Sequence, residues 1–241
     1  MIEIGCPPAK VVVRRLGVDL TALEFVPPDF SDGLKVAMVG RFVQKKGLVD
    51  GLQACREAAR AGVRLEVTII GDAGDGDPTG QAIKRELVAL AQSPALVGKV
   101  RFAGFLSPDA VRSVIAKQNV LLCPSKHSPD GDAEGGMPFI LAEAMAMGLV
   151  AIGSRHCDMP ELIDHGRTGV LFDEGKVDEL SAVLCELPML GDRVIELAHA
   201  GRRHIEERFD LRRQLQRLAD IYNGCLGRPS SAPDQRRREA A

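Results

Sequence analysis

From Leu34 to Leu187, short apolar runs alternate with amphipathic stretches, and this alternation restricts the chain to one class of fold. Leu34–Val39 (LKVAMV), Val63–Ile70, Val100–Phe102, Val120–Cys123, Leu149–Ile152 and Val170–Phe172 read as buried strands. Gly47–Ala61, Thr79–Gln92, the stretch opened by Ser107-Pro108-Asp109, Phe139–Met147, Met159–Ile163 and Val177–Leu187 read as the helices between them. Ser107 is a good N-cap and Pro108 suits a first helical position. Short connections of this kind make right-handed crossovers, so the expected fold is α/β: a Rossmann-like parallel sheet with helices on both faces. Loops after the strand C-termini then share one crevice, which gathers residues 41–46, 71–78, 102–106 and 125–136.

The flanks differ. Residues 1–32 hold Pro7-Pro8, a turn at Gly17-Val18-Asp19 and Pro27-Pro28, and read as a linker, with one short strand expected at Val11–Arg14. Residues 33–190 form the α/β domain. Residues 191–226 read as C-terminal helices, with Val194, Leu197 and Ala198 on one face, Leu215, Leu218, Ala219 and Tyr222 on another, and a break at Phe209-Asp210. Residues 227–241 lack apolar periodicity and are expected to be disordered; the Arg236–Arg238 run suits a solvated tail or contact with anionic lipid.

Composition removes several function classes. A net charge of −2, with bases interspersed among acids, and the absence of Trp argue against nucleic acid as a partner. The six cysteines are scattered without a CxxC pair, which suits buried free thiols in a reducing compartment. No run of 18 apolar residues and no signal peptide is present, so a cytoplasmic location is expected.

Two stretches carry chemistry. In Asp130–Met147 (DGDAEGGMPFILAEAMAM) an acidic, glycine-rich loop runs into Pro138 and a short helix. A helix start presents unpaired N–H groups and a positive dipole end, which suits phosphate. Glu134 and Glu143 add carboxylates, which would repel phosphate and so suit sugar hydroxyls. The same pattern also suits a solvated turn with acids at a helix N-terminus. The loop Gly40–Gly47 (GRFVQKKG) places Arg41 and Lys46 at the expected ligand edge, where they can hold a diphosphate; the alternative is an ordinary charged surface loop.

Other motifs fall away. There is no Walker pattern, and GDAGDG at residues 71–76 neither fits the dinucleotide fingerprint nor follows the first strand. Asp72, Asp75 and Asp77 have calcium-like spacing, but the rest of that loop pattern is absent. His127, His156 and His165 lie in loops near strand ends, none with a ligand partner at metal spacing; only His127 is near the acidic loop in sequence. No metal site is expected.

Taken together, VRRLGVDLTALEF, VGRFVQKKG, VTIIGDAGDG, VRFAGFL, NVLLCPS, EGGMPFILAEAMAMG and MPELIDHGRTGVLF resemble the C-terminal, nucleotide-sugar-binding half of retaining GT-B glycosyltransferases of the bacterial polysaccharide and lipopolysaccharide type. The resemblance runs from about Lys10 to Tyr222. It implies that Arg41 and Lys46 bind and stabilise the diphosphate, that Glu134 faces the donor hexose, and that Glu143 accepts the ribose hydroxyls. Gly40, Gly71, Phe102, Gly135, Gly136, Met137 and Pro138 would line the donor site. The family places seven residues between its paired glutamates and this chain has eight, the extra one falling at Gly135-Gly136. Family members carry an N-terminal acceptor domain, and this chain begins at what would be the interdomain linker.

The expected function is therefore retaining, metal-independent transfer of a hexose from a nucleoside-diphosphate sugar to a glycan or lipid-linked acceptor, with this chain as the donor-binding half. The partners implied are the nucleotide sugar, the acceptor and the absent acceptor domain, with peripheral membrane association open for the full enzyme. No cofactor is expected beyond the donor substrate. The alternatives are a nucleotide-sugar-binding module inactive without a separate acceptor domain and, less well matched, a sugar-nucleotide epimerase of the same architecture.

Overall fold

The computed structural model describes residues 2–227. Strands β1 (Leu34–Val39), β2 (Leu65–Ile70), β3 (Val100–Phe102), β4 (Val120–Cys123), β5 (Val150–Ser154) and β6 (Val170–Phe172) form one sheet in the order β3-β2-β1-β4-β5-β6. Every pairing is parallel. The helices are α1 (Leu48–Arg60), α2 (Pro78–Ala91), α3 (Pro108–Ile115), α4 (Phe139–Met147), α5 (Met159–Leu162), α6 (Val177–Glu186), α7 (Arg193–Arg208) and α8 (Leu211–Cys225). The chain winds outward from β1 to β3, then returns to β4 and winds the other way. The loops after β1 and β4 therefore face each other across the reversal point, where ligands of such sheets bind.

Each strand alternates between two cores, as a period of two requires. Leu34, Val36 and Met38 of β1, Val120 and Leu122 of β4, and Val150 and Ile152 of β5 pack with α1, α2 and α6. Ala37, Leu121, Cys123 and Ala151 face the other way, toward α3, α4 and α5. Helix α7 spans both layers, with Val194 and Leu197 in one and Ile205 in the other. Apart from Glu143, helix α4 is apolar all round, because Leu141, Ala142 and the run from Ala144 to Met147 are buried between the sheet and α7. Arg202 of α7 fixes the junction by donating to the Ala146 and Leu23 carbonyls.

The segment before β1 packs onto the domain. Val18 is buried, donates to the Phe209 carbonyl and accepts from Leu211 N–H at the start of α8. Asn119 ties residues 29–35 to β4: its Oδ1 accepts from Lys35 N–H and its Nδ2 donates to the Asp29 and Gly33 carbonyls.

Three expectations change. Val11–Arg14 is not a strand; it has no sheet edge beside it, and Val12 and Val13 stay exposed. Pro138 occupies the N-cap of α4 rather than its first helical position. Only Cys55 and Cys123 are buried, where burial raises both thiols to about 12, whereas Cys157 and Cys225 are exposed. On α8, Leu215 and Tyr222 of the apolar face are exposed and Gln214 is the buried side chain. The disorder expected over 227–241 lies outside the described residues apart from Gly227. Among the described residues no helix is long and apolar enough to cross a membrane.

Candidate nucleotide-sugar site

Strand β1 ends at Val39, and the chain turns through Gly40, Arg41, a single 3-10 turn (Gln44–Lys46) and Gly47 before α1. Gly47 has φ 60°, and a Cβ there would collide with the Pro124 carbonyl after β4. That close approach draws the β1 and β4 loops together. Gly71 plays a similar part beside Gly40, where its φ of 121° and its proximity to the Gly40 carbonyl exclude a side chain.

A cavity of ≈ 420 Å³ opens between these loops, lined by Gly40, Arg41, Lys46, Ser125, Glu134 and the start of α4 at Pro138–Ile140. Pro138 offers no side-chain cap, so the first amides of α4 have no side-chain acceptor. Lys46 Nζ lies 2.7 Å from Glu134 Oε1, which also accepts from Ser125 Oγ at 3.0 Å. Arg41 is exposed and makes no ion pair among the described residues. Lys45 also lines the cavity but is tied to Asp132, and its hydrogen bond holds that carboxyl below its usual range. Besides the tied Lys45, the site thus contains two cations, Arg41 and Lys46, a helix N-terminus and one carboxylate with a defined direction.

A second cavity of ≈ 750 Å³ adjoins through Lys46 and Glu134 and is lined by Gly135, Gly136, Met137, Pro138 and Asp158, with Val13–Leu16 along one side. Arg15 anchors that side through an ion pair to Glu161 of α5. A further cavity, ≈ 880 Å³ between α6 and α7, is lined by His165 but by none of the residues expected at the donor site.

The expected residues divide accordingly. Arg41, Lys46, Gly40, Glu134, Gly135, Gly136, Met137 and Pro138 converge on the two joined cavities. Gly71 and Phe102 lie outside their walls: Gly71 N–H is bonded to the Gly104 carbonyl, and Phe102 ends the edge strand β3 half-exposed. Glu143 also lies apart from Glu134, with its carboxylate 3.2 Å from Arg112 Nη1 of α3. Asp72 is paired with Lys84 and Asp77 caps α2, which accounts for two members of the calcium-like triplet.

One cluster was not expected. The loops after β5 and β6 reach the same edge and bring His156 and Glu174 to His127, contrary to the reading that no histidine has a ligand partner. Their candidate ligand atoms all lie within 4.8 Å of one another. His156 Nδ1 is 2.8 Å from Glu174 Oε1, and Glu174 Oε2 accepts from His127 N–H at 2.9 Å. Burial pushes the Glu174 carboxyl up, but the bonds from His127 and His156 outweigh it and set it at about 2. The signal was in the topology: these residues follow the fifth and sixth strands, whose loops share the ligand edge.

The glycosyl transferases group 1 family matches residues 22–197. The amylovoran biosynthesis glycosyltransferase AmsK of Erwinia amylovora is 32% identical over 222 residues, covering 92% of this chain and 52% of that protein. A putative colanic acid biosynthesis glycosyltransferase WcaL of Salmonella typhimurium is 32% identical over 196 residues, 80% of this chain and 46% of that protein. The chain thus spans about half the length of these curated relatives. Among solved structures, Anabaena Alr3699/HepE in complex with UDP and glucose shares the fold with a TM-score of 0.77 at 21% identity, over 92% of this chain and 59% of that one. The C-terminal domain of the group 1 glycosyl transferase LpcC of Francisella tularensis matches with a TM-score of 0.69 at 19% identity, over 81% of this chain and 100% of that one. With its GT-B, Rossmann-like sheet and a family match spanning most of its length, this chain belongs to the glycosyl transferases group 1 family.

Proposed function

We propose that the chain binds a nucleoside-diphosphate sugar and forms the donor half of a retaining, metal-independent hexosyltransferase whose acceptor is a glycan or a lipid-linked glycan. The observation that carries this reading is the convergence of Arg41, Lys46, the uncapped start of α4 and Glu134 on one cavity at the reversal point of the sheet. Lys46 and Arg41 stabilise the diphosphate as it departs with negative charge, an electrostatic role aided by the α4 dipole. Glu134 accepts hydroxyls of the hexose, and the adjoining cavity along Gly135–Pro138 receives it. Glu143 accepts the ribose hydroxyls. The UDP and glucose bound by the Anabaena protein support the choice of donor class. The reading assigns the second substrate to an acceptor domain outside this chain, placed against the apolar face of α8.

Transfer tests it. The chain supplied with an acceptor domain is incubated with a nucleotide sugar, and the product's anomeric configuration is read by NMR. Retention of configuration is expected, with undiminished rate in the presence of a chelator. Inversion, or abolition by the chelator, would overturn the corresponding part. The runner-up is a nucleotide-sugar-binding module without activity of its own. It predicts donor binding without transfer whichever acceptor domain is added.

A further inference from the structure

Glu134 is fixed at three points. Its carboxylate meets Lys46 and Ser125, its N–H donates to His156 Nε2 at 3.1 Å, and its carbonyl accepts from Cys157 Sγ at 3.0 Å. His156 and Cys157 are consecutive, just past β5, so two adjacent side chains close on both backbone polar groups of one residue. His156 is fully buried. Cys157 adopts φ 46°, a left-handed conformation uncommon outside glycine, with its sulfur directed at the Glu134 carbonyl. The two residues after Glu134 are glycines that packing does little to hold. A Cβ on Gly135 would meet nothing within 4 Å, and one on Gly136 only Asp158 Oδ2 at 3.5 Å. Such a backbone has wide conformational freedom, so the direction of Glu134 depends on its hydrogen bonds.

The histidine tautomer follows from its partners. An Nε2 that accepts an N–H carries no proton, so the neutral ring holds its proton on Nδ1 and donates it to Glu174 Oε1. This decides between two uses of the cluster. Two imidazoles and a carboxylate suit a zinc-like cation. A metal on His156 Nδ1 would move the ring proton to Nε2, where it would face the Glu134 N–H, two donors opposed at 3.1 Å. The hydrogen-bonded arrangement opposes no donors.

We propose that His156, with its tautomer set by Glu174, is a positioning residue that clamps the Glu134 backbone, with Cys157 on the other side, so that the Glu134 carboxylate stays on Lys46. This rests on the reading of Lys46 and Glu134 as donor-site residues. The clamp compensates for the Gly135-Gly136 hinge that follows Glu134.

The test separates the two ring nitrogens. His156→Gln places an amide oxygen near the Nε2 position and keeps the acceptor for Glu134; His156→Asn keeps a donor near the Nδ1 position and loses that acceptor. Three readouts are taken: the wild-type ring tautomer by nitrogen NMR, the exchange rate of the Glu134 amide, and affinity for UDP-, GDP- and ADP-glucose by calorimetry. The expected results are a proton on Nδ1, a protected Glu134 amide in wild type and His156→Gln, and fast exchange in His156→Asn. Affinity should fall by about tenfold in His156→Asn, the net effect of one hydrogen bond, and be largely restored in His156→Gln. A wild-type proton on Nε2, equal behaviour of the two folded variants, or zinc bound by wild type and lost in both variants would overturn the proposal. If His156→Asn does not fold, the wild-type tautomer and the His156→Gln exchange rate still decide. If wild type binds none of the three nucleotide sugars, the donor reading fails, while tautomer and exchange judge the clamp independently.

Discussion

Lys46 Nζ and Glu134 Oε1 stand 2.7 Å apart and join the loop after β1 to the acidic loop before α4. Both side chains are largely withdrawn from solvent, at 25% and 12% exposure, so the pair is screened less than a surface ion pair. It places the expected diphosphate cation and the expected sugar acceptor next to each other, as a donor whose hexose is joined to its diphosphate requires.

Glu143 belongs to a different neighbourhood, beside Arg112, which also pairs with Asp109. If Glu143 holds the ribose, Glu143→Ala lowers donor affinity roughly 10- to 100-fold, the range for hydrogen bonds to a charged group. Arg112→Ala leaves the ribose acceptor in place and should change affinity by less. Titration of both variants with the preferred nucleotide sugar checks this, and an Arg112 effect equal to that of Glu143 would count against the ribose role.

Glu174 gives a pH signature. Its folded-state carboxyl titrates at about 2 against an ordinary 4.5, so its stabilisation is fully present above pH 4.5 and is lost as pH falls toward 2. Glu174→Gln lacks this contribution. Chemical denaturation at a series of pH values should show the variant less stable than wild type above pH 4.5, with the gap closing toward pH 2. A gap independent of pH would remove the charge-based account of the His127–Glu174–His156 cluster.

Gly47→Ala should be costly for two reasons, a φ of 60° and collision with the Pro124 carbonyl. A loss of at least about 1–3 kcal/mol is expected, a fall in Tm of roughly 2–12 °C for a domain of this size. Gly131→Ala, with φ 83° but open space around it, incurs only the backbone strain and should cost less. Thermal unfolding of the two variants compares them, and equal Tm values would mean that the approach of the two loops is not tight.

The sheet was legible from the sequence because each strand is a short apolar run between breakers: β1, β3, β4 and β6 fall where the pattern put them. Helix α4 was read from Pro138 and its Ala, Leu and Met content, although it has no polar face of its own. The crevice followed from the topology, and with it Arg41, Lys46 and Glu134. What could not be read was side-chain pairing across distant loops. Nothing in local spacing links His156 and Glu174 to the Glu134 backbone, since the contact exists only once β4, β5 and β6 lie side by side. Val11–Arg14 misled for the opposite reason: its β-branched run has strand propensity, but no neighbouring strand pairs with it.

The most direct test of the account is calorimetric titration of the chain with UDP-, GDP- and ADP-glucose, comparing wild type with Lys46→Ala. The account predicts selective binding of one nucleotide sugar by wild type and a loss of roughly 10²-fold in the variant, comparable to removing one oxyanion donor. Equal affinity of the two proteins for that nucleotide sugar would contradict the assignment of the Lys46–Glu134 cavity as the donor site.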